Sequence, residues 1–402
     1  MNIAIKYELI SVLKKIYTIL SCLFFGALCM FSKVQNNKIV FCCHLGRNGI
    51  NCNPKYIAKE IIRQKLPYEL VWMCNKEFMV KDEEFKIIKF VDFNNKIDKF
   101  KALATSKVWV DNSYKPKDYA NGLIKKKNQF YINTWHGSLG IKKIFWDSAQ
   151  TTTQDPRYLK CLEKDFNNCD ILLSNSKWEE NVFRRAFRYK GKICRFGHPR
   201  NDIFFNENSI NVKNKVYNSF CIPKDKKLVL YIPSFRANLE TDCYDINYSL
   251  LRESLQERFG GEWVVATKFH PVNLKKADTF KKLLKADYDF SYYSDTQEVL
   301  LASDVIISDY SSCMFDFMLT KRPCFIYATD IQEYNVKRGF YYPLEETPFP
   351  IARDNEELAR KILEFNNDEY IRKCSDFLQE KKALEDGNAS KRVVEVIKEI
   401  CR

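Results

Sequence analysis

Four histidines, His44, His136, His198 and His270, are the only imidazoles in the chain, and each stands at or just past an apolar run that reads as a strand. In open parallel sheets ligands bind outside the carboxyl ends of the strands, so this shared placement points to one reaction centre. The sharpest segment is Thr134-Trp135-His136-Gly137-Ser138. An imidazole accepts a proton from a hydroxyl near neutral pH, which suits a general base for an alcohol nucleophile. Gly137 lets a ligand or the chain approach closely. The structural alternative is a Trp-His pair packed under a turn. Lys142 and Lys143 follow and can hold acceptor phosphates. Pro233-Ser234-Phe235-Arg236 puts a guanidinium after a second strand, where it can clamp a diphosphate bidentately or form a surface ion pair. Lys268-Phe269-His270-Pro271 repeats the design, and a protonated His270 would neutralise charge on a departing phosphate. Asp309-Tyr310-Ser311-Ser312 ends a third strand. Its hydroxyls and the N–H groups of a following helix form an anion seat, or a simple cap. Asp316 lies one turn on, within reach of ribose hydroxyls. Gly197-His198-Pro199-Arg200-Asn201-Asp202 reads mainly as a turn and cap, with Arg200 a candidate phosphate contact.

These residues need elements to position them, and the chain supplies an alternation of apolar runs and helical spacing. Strand-like runs are 38–44, 68–74, 87–90, 107–111, 129–134, 171–174 and 191–196, then 227–233, 263–269, 305–308 and 324–327. Helical patterns include 55–65, 296–303, 312–320, 355–365 and 389–400. The alternation predicts parallel sheets with helices on both faces. The polar stretch 206–218 reads as the join between domains. The expected division is an N-terminal membrane-associating helix (1–35), a Rossmann-like acceptor domain (36–215) and a Rossmann-like donor domain (216–402) with closing helices.

Length and charge agree with two domains and an anionic partner. The chain has 402 residues, 46% of them hydrophobic, and 65 basic against 51 acidic side chains give a net charge of +14. Aromatic residues, 14% of the chain, fall inside strand and helix patterns rather than between basic residues, which argues against nucleic acid. Fifteen cysteines without C-x-x-C spacing read as reduced thiols of a cytoplasmic enzyme. Nothing calls for a metal or a bound cofactor. Residues 16–31 carry no charge and are flanked by Lys14, Lys15 and Lys33. As a helix this stretch reaches roughly 24 Å, short of the roughly 30 Å hydrocarbon core, so it reads as an interfacial anchor rather than a span.

Taken in order, the segments TWHGS (134–138), GHPRND (197–202), PSFR (233–236), FHP (269–271), DYSSCMFD (309–316) and YNVKRGFY (334–341) resemble the CDP-glycerol glycerophosphotransferase family of teichoic-acid and capsule synthesis. The early NPKYIA (53–58) is similar to the family's acceptor-side segment, which makes Asn53 an acceptor-binding candidate. The resemblance implies a GT-B-type α/β fold, two Rossmann-like domains facing a central cleft. By it, His136 is the base, His270 acts on the diphosphate side, and Arg236, Ser311 and Ser312 hold the donor phosphates. His198 stands where the family pattern has tyrosine, and Phe235 where it has tryptophan. SLGIKK replaces T-P-L-K, which bears on acceptor identity more than on reaction type.

The function implied is transfer of glycerol phosphate, or a related polyol phosphate, from CDP-glycerol to a hydroxyl of a lipid-linked glycan or polyol-phosphate acceptor. CMP would leave, at the cytoplasmic face of the plasma membrane on an anionic surface. Two rivals remain at this level: a GT-B glycosyltransferase using a nucleotide sugar for cell-surface polysaccharide, and a catalytically silent lipid- or polymer-binding protein.

Overall fold

The protein was analysed as a computed structural model that describes residues 3–79, 82–234, 236, 242–269 and 286–402. His270 lies outside the described residues. The first sheet contains β1 (Gln35–Cys42), β2 (Glu69–Cys74), β3 (Lys89–Asp92), β4 (Ser106–Asp111), β5 (Phe130–Asn133), β6 (Ile171–Ser174) and β7 (Lys192–Arg195). Its order is β3-β2-β1-β4-β5-β6-β7, and every pairing is parallel. The second sheet contains β8 (Lys227–Tyr231), β9 (Trp263–Thr267), β10 (Tyr288–Asp289), β11 (Val305–Ser308), β12 (Cys324–Tyr327) and β13 (Ile351–Ala352). It runs β10-β9-β8-β11-β12-β13, again all parallel. Both sheets are therefore doubly wound, with the chain reversing direction across the sheet between β1 and β4 and between β8 and β11.

The apolar runs are continuous because helices cover both faces of each sheet. In β4, Val108 and Val110 join one core of the first lobe while Trp109 joins the other. The second lobe has one large core built around Leu228, Val265, Ile306 and Phe325.

Three expectations change. The supposed join 206–218 contains a helix, Ser209–Phe220. Asn208 caps it, accepting from the Ile210 and Asn211 N–H groups at 2.9 and 3.3 Å, and Val212, Val216 and Tyr217 are buried beneath. The final helix, Ala389–Cys401, packs Val393, Val394 and Ile397 among Ile39, Phe41 and Val108 of the first lobe rather than closing the second.

The third change concerns the N-terminus, which forms one helix, Ile3–Phe31. Among the described residues no helix is long and apolar enough to cross a membrane. The helix is docked on the first lobe, with Phe25 buried 4.2 Å from the Phe100 ring and Cys29 fully buried. Gly122, at φ +96°, permits this approach: a Cβ there would lie 2.5 Å from the Cys22 carbonyl oxygen.

Candidate active site

His136 sits just past β5, and the backbone turns sharply to present it, with Trp135 at φ 52°. Side-chain amides hold that turn. Asn133 Oδ1 accepts the Trp135 N–H at 2.8 Å. Asn53, fully buried, donates to the carbonyls of Thr134 and Trp135 at 3.1 and 2.9 Å. The His136 Nδ1 lies 2.6 Å from the Asn112 carbonyl oxygen. A carbonyl only accepts, so Nδ1 carries the hydrogen and Nε2 is the basic nitrogen.

His44, past β1, faces His136 edge-on with ring centres 5.2 Å apart. Asn112 orients it as well, accepting the His44 N–H at 2.8 Å and donating Nδ2–H to His44 Nε2 at 3.2 Å. Burial, helped by the Arg200 and Arg47 charges, pushes His44 down to about 4. It is therefore neutral at neutral pH and adds no repulsion when His136 takes up a proton.

Arg200, Asp316 and Asn53 hold other positions than expected. Arg200 is buried and bridges the lobes: its guanidinium donates to the His136 carbonyl and pairs with Asp316 Oδ2 at 2.9 Å. Its backbone N–H donates to Asn53 Oδ1 at 3.0 Å. Asp316 also accepts from Asn201 and from Gln297, each at 3.0 Å. Both of its oxygens are thus engaged by protein donors, and the carboxylate is 2% exposed. Arg200 and Asn53 shape the loop from behind rather than facing an acceptor.

Arg236 also differs from an open clamp. Its fork is bidentate to Asp330 at 2.6 and 2.9 Å, and Nη2 lies 2.9 Å from Asp309. The Tyr310 and Tyr334 rings stack on each other at 4.1 Å, and the guanidinium carbon lies beside the pair, 5.0 and 4.6 Å from their centroids. Burial opposes its charge, but the two carboxylates overcome that and raise its pKa. In this structure Arg236 anchors the loop after β8, while Asp309 also accepts the Ser234 N–H at 2.8 Å.

The motif loops of the two lobes meet at Ser312. A Cβ on Gly137 would lie 3.9 Å from Ser312 Oγ, and one on Gly140 would lie 3.7 Å from Ser312 Cβ. Ser311 and Ser312 are both half-buried, ahead of the short helix Cys313–Phe317, and Ser312 makes no side-chain cap bond. Lys142 reaches across to the second lobe, its Nζ 3.4 Å from Ser234 Oγ. Burial, reinforced by the Arg338 and Arg236 charges and opposed by Asp309, pushes Lys142 down to about 8. Lys143 is a backbone fastener: its N–H donates to the Gly339 carbonyl at 3.0 Å, and its side chain packs under Gly339. Asn112 and Asp330 escaped notice because a lone asparagine or aspartate in a loop carries no spacing signal, while Arg338, the last residue of the helix Ile331–Arg338, lies in the YNVKRGFY segment but was given no role there.

Residues 23–399 match the family described as CDP-Glycerol:Poly(glycerophosphate) glycerophosphotransferase. The chain belongs to this family. A teichoic acid poly(glycerol phosphate) polymerase of Bacillus spizizenii is 32% identical over 377 residues, covering 90% of this chain and 92% of that protein. A teichoic acid glycerol-phosphate transferase of Staphylococcus aureus is 29% identical, covering 92% and 95%. The chain spans about half (49%) of the Bacillus subtilis poly(glycerol phosphate) polymerase, at 30% identity. Among solved structures, the wall teichoic acid polymerase TagF superimposes with a TM-score of 0.79 at 25% identity, over 100% of this chain and 98% of that one. A Listeria monocytogenes UDP-N-acetylglucosamine 2-epimerase, at 12% identity and TM-score 0.51, shares the fold alone. The chain is accordingly a transferase of the CDP-glycerol glycerophosphotransferase family.

Proposed function

We propose that the chain transfers glycerol phosphate from CDP-glycerol to a hydroxyl of a membrane-held teichoic-acid- or capsule-type acceptor and releases CMP, with its two lobes in a GT-B-type arrangement. The observation that carries this reading is His136, fixed in the Nδ1–H tautomer on a loop that abuts Ser312 across the lobe seam. In the reaction the acceptor O–H gives its proton to His136 Nε2 as its oxygen bonds to the phosphorus carrying glycerol. The bond from that phosphorus to the bridging oxygen breaks, and CMP leaves with the electron pair. Positioning and charge neutralisation are the main demands of such a displacement.

Cations for the diphosphate are at hand. Lys142 and Arg338, both half-buried, have no carboxylate within ion-pair distance among the described residues, which leaves their charge for a ligand. Ser311 and Ser312 would add hydroxyl donors, and Arg236 would contribute if Asp330 yields one arm of its fork. His270 keeps its proposed role of neutralising charge on the departing group. The family membership favours this reading over the nucleotide-sugar alternative.

The N-terminal helix supports work at a membrane surface, on the cytoplasmic face where CDP-glycerol is supplied. Leu13, Ile16, Tyr17, Leu20, Leu23 and Phe24 form one exposed stripe opposite the docked face of Ser21, Phe25 and Cys29. An amphipathic helix of this kind lies in the interface with its apolar side down. The test is to score CMP against UDP release from CDP-glycerol, CDP-ribitol and UDP-sugars. CMP release should be specific to a CDP-polyol and should fall about a hundredfold or more in His136→Ala. Release of UDP from a sugar donor, or full turnover in that variant, would overturn the reading.

A further inference from the structure

The loop between His136 and Lys142 is suspended from behind by groups that the transfer reaction itself does not use. Leu139 donates its N–H to Glu179 Oε1 at 3.2 Å, and its carbonyl accepts from the Tyr342 hydroxyl. Ser138 Oγ accepts from Asn175 Nδ2 at 2.8 Å. Glu179 Oε2 takes the Asn175 N–H at 2.8 Å, and His198 Nε2 stands 3.2 Å from Oε1. Three N–H donors thus converge on one carboxylate, and with Glu179 at 2% and His198 at 0% exposure no bulk water can replace a lost contact.

We infer that Glu179 is a positioning residue for the loop that carries His136, and that the buried imidazole of His198, its Nε2 3.2 Å from Glu179 Oε1, sets how firmly Glu179 holds it. Every charged group facing His198 bears on this. Glu179 comes from the helix Lys177–Ala186, Glu385 accepts the His198 backbone N–H from the segment ahead of the final helix, and Arg200 lies two residues on. Asp316 stands behind Arg200 and Glu385. Burial and, less strongly, the Arg200 charge oppose charge on His198, but Glu179, with a smaller part from Glu385, outweighs them and raises the pKa above its ordinary value. Glu385, pushed up to about 7 by burial, carries only part of a charge near neutrality, so Glu179 is the principal partner. Because the folded pKa is raised, the attraction is complete at low pH and disappears as pH climbs through that value. Tyrosine, which the family pattern has at this place, donates a hydrogen bond but does not titrate near neutrality. The histidine therefore adds a pH response that the pattern lacks.

The test is hydrogen exchange of the full chain, reading peptides that cover 134–142 from about pH 6 to about pH 9 and corrected for the intrinsic rate. In the unaltered chain, exchange at Leu139 should accelerate about tenfold toward the alkaline end. Glu179→Gln should exchange fast throughout. His198→Tyr, with His198→Gln as the smaller non-titrating control, should give a flat profile. With CDP-glycerol, Glu179→Gln should lower kcat roughly tenfold or more with KM kept. Unchanged exchange in Glu179→Gln, a pH dependence that survives in both His198 variants, or a loss confined to KM would each overturn the inference. The exchange measurement needs no substrate, so it stands or falls separately from the proposed donor.

Discussion

Asn112 serves two imidazoles at once, its carbonyl fixing the His136 tautomer and its amide fixing the His44 ring. This division makes the chemistry of His136 depend on backbone, which a point substitution cannot remove, while His44 depends on a side chain, which it can. Lys142 offers the clearest pH signature among the site residues. Its folded pKa is lowered to about 8, so its charge, and with it phosphate attraction, is present below that value and lost above it. The KM for CDP-glycerol should therefore rise as pH passes through about 8. In Lys142→Met it should be raised about tenfold to a hundredfold at neutral pH with this dependence gone. Steady-state kinetics across that range checks both statements. The positions of His136, Ser311 and Ser312 at strand ends were legible because β5 and β11 are apolar runs that end just ahead of them. Asp316 and Arg200 were misread because sequence shows their distance along the chain and not that they pair across it.

At the scale of elements, the strands were read to within two or three residues because buried parallel strands leave unbroken apolar runs, as in β6, β11 and β12. The short edge strands β10 and β13 have two residues each, too few to leave any pattern. The helix Ser209–Phe220 was hidden by its Asn and Lys content, since only Val212, Val216 and Tyr217 face inward. The N-terminal helix was recognised as apolar, but its docked side was not, because the fit of Phe25 to Phe100 is a tertiary fact. That fit separates its two faces experimentally. Leu20→Ser with Phe24→Ser alters exposed positions only, so it should abolish sedimentation with anionic liposomes while leaving thermal stability within about 0.5 kcal/mol. Sedimentation that persists would exclude this stripe as the membrane contact.

Across the whole molecule, the lobes are joined by buried charge rather than by apolar surface alone. Lys55 places its ammonium 2.6 Å from Asp295 and 2.9 Å from Glu298, and the Tyr56 hydroxyl donates to Asp295 at 3.0 Å. Removing Lys55 leaves the buried Asp295 carboxylate without its cation, while Glu298 keeps Lys215. Lys55→Met should thus cost about 3–5 kcal/mol, seen as a lower urea midpoint. Burial works against the Glu298 charge, but Lys55 and Lys215 hold its pKa down to about 2. Its contribution is therefore present above the ordinary carboxylate range and is lost as pH falls toward about 2.

The return of the last helix to the first lobe means that the polypeptide passes between the halves twice, once near the helix Ser209–Phe220 and again ahead of Ala389. Two tethers leave the halves one easy rotation, about the line through both crossings, and resist sliding or twisting apart. A split made at the first crossing alone would yield an amino-terminal fragment stripped of one wall, with Ile39 and Val108 open to solvent. Complementation by separately produced halves should accordingly succeed only when the carboxyl-terminal piece retains the segment 389–401.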